Sequence, residues 1–310
     1  MGEGDEKALL IFGRTLHYKY RACHTWHAHI IRYNNMKNVI KTFEDVNAFV
    51  RYLGNGTTQD GFNKHSHTGS EWFTGTESFE DAQRLLLHGD METAKKIEDG
   101  GVRATRNALR NSAPRRQLYS CVVGCAPNVP AFLSGAPNNM IAQKTTMQPR
   151  QSLSIIYNCT ASGSEDKSRI ASASASLLSA ILMLENSGVR TELRYGVVAR
   201  EKSGKRPQIV AMFVKVKNAQ QHLDVTKAAY PLANPSMLRR HYFRYVEVTP
   251  GISQKYSSGY GCVVHDEDEI LKVTEEAHLK HAVCISYADI KYMSATEVLD
   301  LITEKAKAKK

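Results

Sequence analysis

Two runs of this chain carry side chains able to bind a metal or grip a charged ligand. The first is Cys23-His-Thr-Trp-His-Ala-His29, with His65 and His67 further along. Imidazole is a common zinc ligand, but a site needs several ligands converging tetrahedrally. On a helix His24, His27 and His29 cannot share one face, and on a strand His27 and His29 face away from His24. No carboxylate that would orient the imidazoles is evident either, so the expectation is no metal and a polar or phosphate-contacting patch. The second run is Arg239-Arg-His-Tyr-Phe-Arg-Tyr245, followed by Lys255-Tyr256 and Tyr260. Single-stranded nucleic acid is held by basic groups that track phosphates and by aromatic faces on which bases stack, for about 1–3 kcal/mol each. Read as a strand, Tyr242, Arg244 and Val246 share one face while Phe243, Tyr245 and Glu247 share the other. One face is then a stacking surface; the competing reading is an amphipathic edge strand whose Arg stems cover apolar surface.

A third cluster runs from Lys95 to Arg116, with seven basic residues against two acids. Read as a helix broken at Gly100-Gly101, it places Arg103, Arg106 and Arg110 on one stripe, with Arg115 and Arg116 beyond. Like charges so placed repel, so either a polyanion or acids from elsewhere in the fold must offset them. The expected nucleic-acid contacts are thus Arg103, Arg106, Arg110, Arg115, Arg116, Arg239, Arg240, Tyr242, Arg244, Tyr245, Lys255 and Tyr256. No catalytic group, metal or cofactor is expected. Ser258-Gly-Tyr-Gly261 and Gly54-Asn-Gly56 lack the Lys and Ser/Thr of a P-loop. The acids of Asp266-Glu-Asp-Glu269 fit a helix start, and no Ser/His/Asp or Cys/His arrangement is legible.

These groups need elements to hold them. A chain of 310 residues with 42% hydrophobic content and 8% aromatics is long enough for one large domain or two ordinary ones. The net charge of +10 favours a polyanionic partner. The acidic N-terminus is unlike a secretory signal and no apolar run is long enough to span a bilayer, so a cytoplasmic protein with no membrane partner is expected. The six scattered cysteines read as buried free thiols, Cys121 and Cys125 having no partner pair for zinc.

From Gln151 to Val198 the order is strand (Ser152 to Tyr157), polar loop, small-residue helix (Ile170 to Glu185), strand (Leu193 to Val198), a βαβ unit whose first loop lies where open α/β sheets place ligands. Ile209 to Val216 and Ala282 to Ser286 read as further strands. Ala219 to Ala229, Asp266 to Lys280 and the segment after Ser294 read as helices. Upstream, Val39 to Leu53 has helical spacing, and Ser78-Phe-Glu-Asp81 opens a helix to Leu87. The division is a mainly helical region at 1–117 and an α/β sheet domain at 118–310.

The loop after the first sheet strand resembles that of the von Willebrand A-like fold, whose first strand ends in a metal-binding Asp-x-Ser-x-Ser. The matching positions here are Asn158, Thr160 and Ser162. Asn for Asp removes the charged ligand that a hard divalent ion wants, and the preferred reading is that the three residues cap the next helix. Ser70-Glu-Trp-Phe-Thr-Gly-Thr-Glu-Ser-Phe-Glu-Asp-Ala82 through Leu87-His-Gly89, with Val129-Pro-Ala-Phe-Leu-Ser-Gly-Ala-Pro137, resembles a family of bacteriophage and prophage proteins that carries no assigned chemistry. It is similar in charge to the single-stranded-DNA-binding proteins of N4-type phages that recruit a phage RNA polymerase. The resemblances imply a bacterial host cell and an open α/β sheet of von Willebrand A-like (Rossmannoid) type with a mainly helical N-terminal part. The expected function is non-enzymatic binding of single-stranded DNA, RNA being possible, in phage transcription or replication. The rival is a protein-interaction adaptor for an AAA+ ATPase, a phage RNA polymerase or another assembly partner.

Overall fold

A computed structural model describes residues 38–111, 117–144, 152–202 and 207–309. The histidines at 24, 27 and 29, Cys23, Arg115 and Arg116 lie outside the described residues. Strands are β1 Val39–Phe43, β2 Gln117–Cys121, β3 Ala126–Pro127, β4 Met140–Lys144, β5 Ser152–Asn158, β6 Arg190–Arg200, β7 Ile209–Lys217, β8 Cys262–Val263 and β9 Val283–Ser286. The longer helices are α1 Val46–Asn55, α2 Phe79–His88, α3 Met91–Ile97, α4 Arg103–Asn111, α5 Lys167–Asn186, α6 Val225–Ala233, α7 Phe243–Val248, α8 Glu267–Glu276 and α9 Ala295–Ala308.

The main sheet runs β1-β7-β6-β5-β9, with β8 on the end of β6. β5 is parallel to β6 and to β9, β7 is antiparallel to β6, and β1 is parallel to β7. The fold is therefore α/β, and the βαβ unit stands as β5-α5-β6. The strands are apolar because both faces are covered. On one face Leu193, Tyr195, Val197 and Ala199 of β6 meet α5, α6 and the N-terminal helices. On the other, Val198, Ile156, Ala211 and Phe213 meet Ile270 and Val273 of α8. Gly196 is needed between them, since a Cβ there would stand 3.0 Å from Ile156 and 3.1 Å from Phe213. Small residues let α5 lie close to its neighbours: Ser174 is fully buried, and its hydroxyl donates to the carbonyls of Ile170 and Leu232.

Three expectations about elements are corrected. Val39–Phe43 is an edge strand, and only Val46–Asn55 is helical; Ile40 and Phe43 happen to continue the phase of the α1 apolar stripe. Asp166, whose carboxylate accepts from the Ser168 N–H, caps α5 in place of Asn158, Thr160 and Ser162. Met237–Tyr242 forms a π-helical turn that continues into α7, so Tyr242–Val248 is helix rather than strand. Cys125 and Cys262 are exposed, and of the described cysteines Cys284 alone is buried.

The parts on either side of residue 117 share their cores. Ala94, Ile97 and Val102 pack with Ile155, Leu178 and Ile181, while Phe43, Phe49, Phe79 and Leu86 pack with Tyr195, Met212 and Tyr245. Residues 117–144 stand apart as a small sheet, β2-β4-β3, which contributes nothing to those clusters.

Candidate functional site

The basic-aromatic segment is interior. Arg240 is fully buried and faces no carboxylate within ion-pair distance among the described residues. Its guanidinium donates to the carbonyls of Ser66, His67, Gly69, Thr76 and Glu77 and to the Thr76 hydroxyl. Five N–H groups in a rigid fork suit such a task, because they can satisfy a loop's orphaned carbonyls from one point. Arg244 does the same nearby, donating to the Thr58 hydroxyl and the Gly56 carbonyl, both at 2.7 Å. Glu247, also fully buried, accepts from the Ser66 N–H at 3.0 Å, the Ser66 hydroxyl at 2.5 Å and the Tyr260 hydroxyl at 2.7 Å. One helix thus pins the chain from Gly56 to Glu77.

The aromatic residues are core. Tyr242, Tyr245 and Tyr256 are buried, with the Tyr245 hydroxyl donating to Ala211 and that of Tyr256 to Ala199 and Gln208. Burial pushes the hydroxyl pKa of all three up. None offers a face for a base to stack on, which corrects the expectation for this segment. Beside them His241 is buried, its Nδ1 at 3.1 Å from the Tyr230 hydroxyl, and burial pushes its pKa down to about 3. Lys255 is exposed and stands 3.9 Å from buried Glu201.

The α4 arginines have acids at hand. After the kink at Gly101, where φ is 135°, Arg103 lies 2.9 Å from Asp99 and Arg106 lies 2.9 Å from Glu98. Acids of the preceding turn thus stand beside Arg103 and Arg106. Arg110 lies on the same helix.

Arg239 is placed differently. It is buried, its guanidinium lies over the Phe73 ring 4.3 Å from the centroid, and it donates to the carbonyls of Phe73 and Gly163. It therefore ties the single-turn helix Glu71–Thr74 to the loop that follows β5. The neighbouring residue on that turn, Trp72, is 84% exposed. Its turn is fixed from below: the Thr74 hydroxyl donates to Ser70, and the Ser236 hydroxyl donates to the Thr74 carbonyl. Sequence reasoning does not single out Trp72, because its signal is local: an indole between Glu71 and Phe73 in a stretch with no helical apolar period.

Beyond β5 and β9 the sheet opens into a small cleft of about 40 Å³, lined by Asn158, Thr160, Ser286, Glu267, Asp289 and Lys305 among others. The Asn158 side-chain oxygen accepts from the Thr160 N–H and hydroxyl, and Thr160 Oγ1 also accepts from the Val198 N–H. These groups stitch β5 to β6. The two carboxylates are engaged by Lys305, 2.6 Å from Glu267 and 3.7 Å from Asp289. A divalent ion does not fit this donor set: the amide and hydroxyl oxygens are spent on backbone, and an ammonium sits with the acids. No group of three or more His, Cys, Asp or Glu side chains converges among the described residues.

The model for the family described as Domain of unknown function (DUF7192) matches residues 19–308. The chain belongs to this family. Neither a curated protein nor a solved structure matches it. Among the described residues no helix is long and apolar enough to cross a membrane.

Proposed function

We propose that this protein is a von Willebrand A-like interaction module that binds a protein partner through the surface above the carboxyl ends of β5 and β9. The strand order supports the fold reading. The first strand of the βαβ unit, β5, is interior to the sheet, with β6, antiparallel β7 and β1 to one side and the edge strand β9 to the other. Loops beyond the carboxyl ends of such strands are where open sheets bind. Trp72 is the observation that carries the function. An exposed indole on a hydrogen-bonded turn beside that loop is of a kind enriched among residues that dominate binding energy. The partner class suggested by the sequence resemblance is a phage RNA polymerase or an AAA+ ATPase, in a bacterial cytoplasm. The test compares the intact protein with Trp72→Ala for capture of a defined partner. Loss of at least tenfold in affinity with an unchanged thermal midpoint supports the reading, and unchanged affinity sinks it.

The net charge of +10 favours a second reading, non-enzymatic binding of single-stranded DNA or RNA. With Tyr242, Tyr245 and Tyr256 buried, Trp72 is an exposed ring on which a base can stack. Titration with labelled single-stranded oligonucleotides at several salt concentrations decides it. Salt-dependent binding weakened by about 1–3 kcal/mol in Trp72→Ala carries this reading, and no binding removes it.

A further inference from the structure

The lobe at residues 117–144 has a defined fold and, among the described residues, no cover. Gly124 has no room for a side chain, because a Cβ there would meet the Ile141 carbonyl oxygen at 2.3 Å. The Cys125 N–H bonds Ile141, and Asn128 caps the turn Val129–Leu133. Yet Leu118, Val122, Val123, Phe132 and Leu133 are each more than 60% exposed, and Tyr119 is nearly half exposed. With β3 pairing over only Ala126 and Pro127, the lobe is little more than the hairpin-like pair β2-β4, and an isolated two-stranded pair is marginal in water. Apolar surface on the order of several hundred Å² marks an interaction site rather than a free surface.

We propose that this lobe is a homodimerisation surface, occupied by the same lobe of a second copy. Three observations select that occupant. First, β2 is an outer strand of the order β2-β4-β3, and among the described residues it pairs with β4 on one side and with no strand on the other. Such an edge seeks a strand, and antiparallel pairing about a two-fold axis at Tyr119 lets β2 supply its own partner. Second, residues 117–144 contain one charged residue, Lys144, in a chain that is 23% charged. Two copies each carrying +10 can meet there without opposing charges. The same neutrality gives an acidic or basic partner nothing to recognise, and charge depletion is the compositional mark of an interface core. Third, the exposed side chains lie on both faces of the small sheet and at its end. Leu118 and Tyr119 point to opposite faces of β2, so a sheet continued through β2 brings apolar neighbours to both. A two-fold contact of this kind buries the same patch on each copy.

The test is sedimentation velocity and light scattering on the full chain across a wide concentration range. A species of twice the chain mass that persists at high salt is expected, since no charge holds the contact. Leu118→Lys with Tyr119→Lys places like charges on the edge and should return the protein to a monomer, with the thermal transition of the main domain retained. Because the double variant risks unfolding the lobe, a second measurement stands beside it. Tyr119→Cys, in a chain with Cys23, Cys121, Cys125 and Cys262 changed to Ser, should form a covalent dimer on mild oxidation, and Glu304→Cys in the same background should not. A wild type that is monomeric at every concentration overturns the proposal. So does a dimer that survives the Lys variant while the Tyr119→Cys chain gives no cross-link. Monomers that bind vesicles of anionic lipid, or that associate only with a different protein, also overturn it by naming another occupant.

Discussion

Arg240 shows how far a basic residue can be from its apparent purpose. A guanidinium with no exposure and no ion-pair partner among the described residues is costly to bury, and burial pushes its pKa down. Its fork reaches five carbonyls of the loop carrying Trp72, of which the Thr76 carbonyl also accepts from the Thr74 hydroxyl. Arg240→Met should therefore lower unfolding stability by about 4 kcal/mol in urea denaturation. Arg240→Lys should recover little, since one ammonium cannot reach both ends of the loop. An affinity change for oligonucleotides without a stability change would show the side chain to be on the surface after all. His241 supplies a second measurable effect. Its folded pKa near 3 lies below the ordinary value of 6.5, so the unfolded chain binds the extra proton between those values. Its contribution to stability is complete above about pH 6.5 and is lost as pH falls toward 3, by up to about 1.4 kcal/mol per unit. His241→Gln should flatten the pH dependence of the denaturation midpoint across that window, and an unchanged slope would refute the assignment.

Helices and strands are legible in the sequence where one periodicity dominates. β5, β7, β9, the Ser78 N-cap of α2 and the capping box of α9 stand within a residue or two of their expected places, because alternation, apolar runs and Ser-x-x-Asp/Glu signals are local. Residues 237–248 mislead because a helix buried all round has no polar face to set a period. Arg239, Arg240, Tyr242, Tyr245 and Glu247 all point inward. The alternation of Tyr and Arg then imitates a strand. The arginine stripe on α4 is a helix after a break at Gly101, as its spacing implies, but its charge balance depends on Glu98 and Asp99 folding back across the kink. Arg106→Glu would set one carboxylate against another, and the expected result is a loss of about 1 kcal/mol. Thermal denaturation of that variant at low and high salt checks this, because repulsion of this kind shrinks when screened. A midpoint that holds or rises would return the arginines to an idle surface or a polyanion site.

On the scale of the whole molecule, the boundary at residue 117 separates compositions, not cores. A sequence can show that one stretch is helical and the next alternates, but not that β1 adds in parallel to β7 from far along the chain. That pairing runs in register from Val39 with Val210 through Phe43 with Val214. Without that strand and the helices behind it, Tyr195, Met212, Val214 and Tyr245 lose the layer formed by Phe43, Phe49, Leu53 and Phe79. Each fully buried side chain of this size contributes about 1.5–3 kcal/mol by leaving water, and the whole fold is worth only about 5–15 kcal/mol. Exposing several at once exceeds the margin. Arg240 and Glu247 would also be left charged in the interior with the loop that satisfies them removed. The isolated 118–310 fragment is therefore expected to lose cooperative thermal unfolding and fixed near-ultraviolet dichroism, and to bind a hydrophobic dye, while residues 1–117 supplied in trans restore the transition. A sharp melting transition in the fragment alone would show instead that the sheet holds its own core and that the N-terminal layer is an accessory to it.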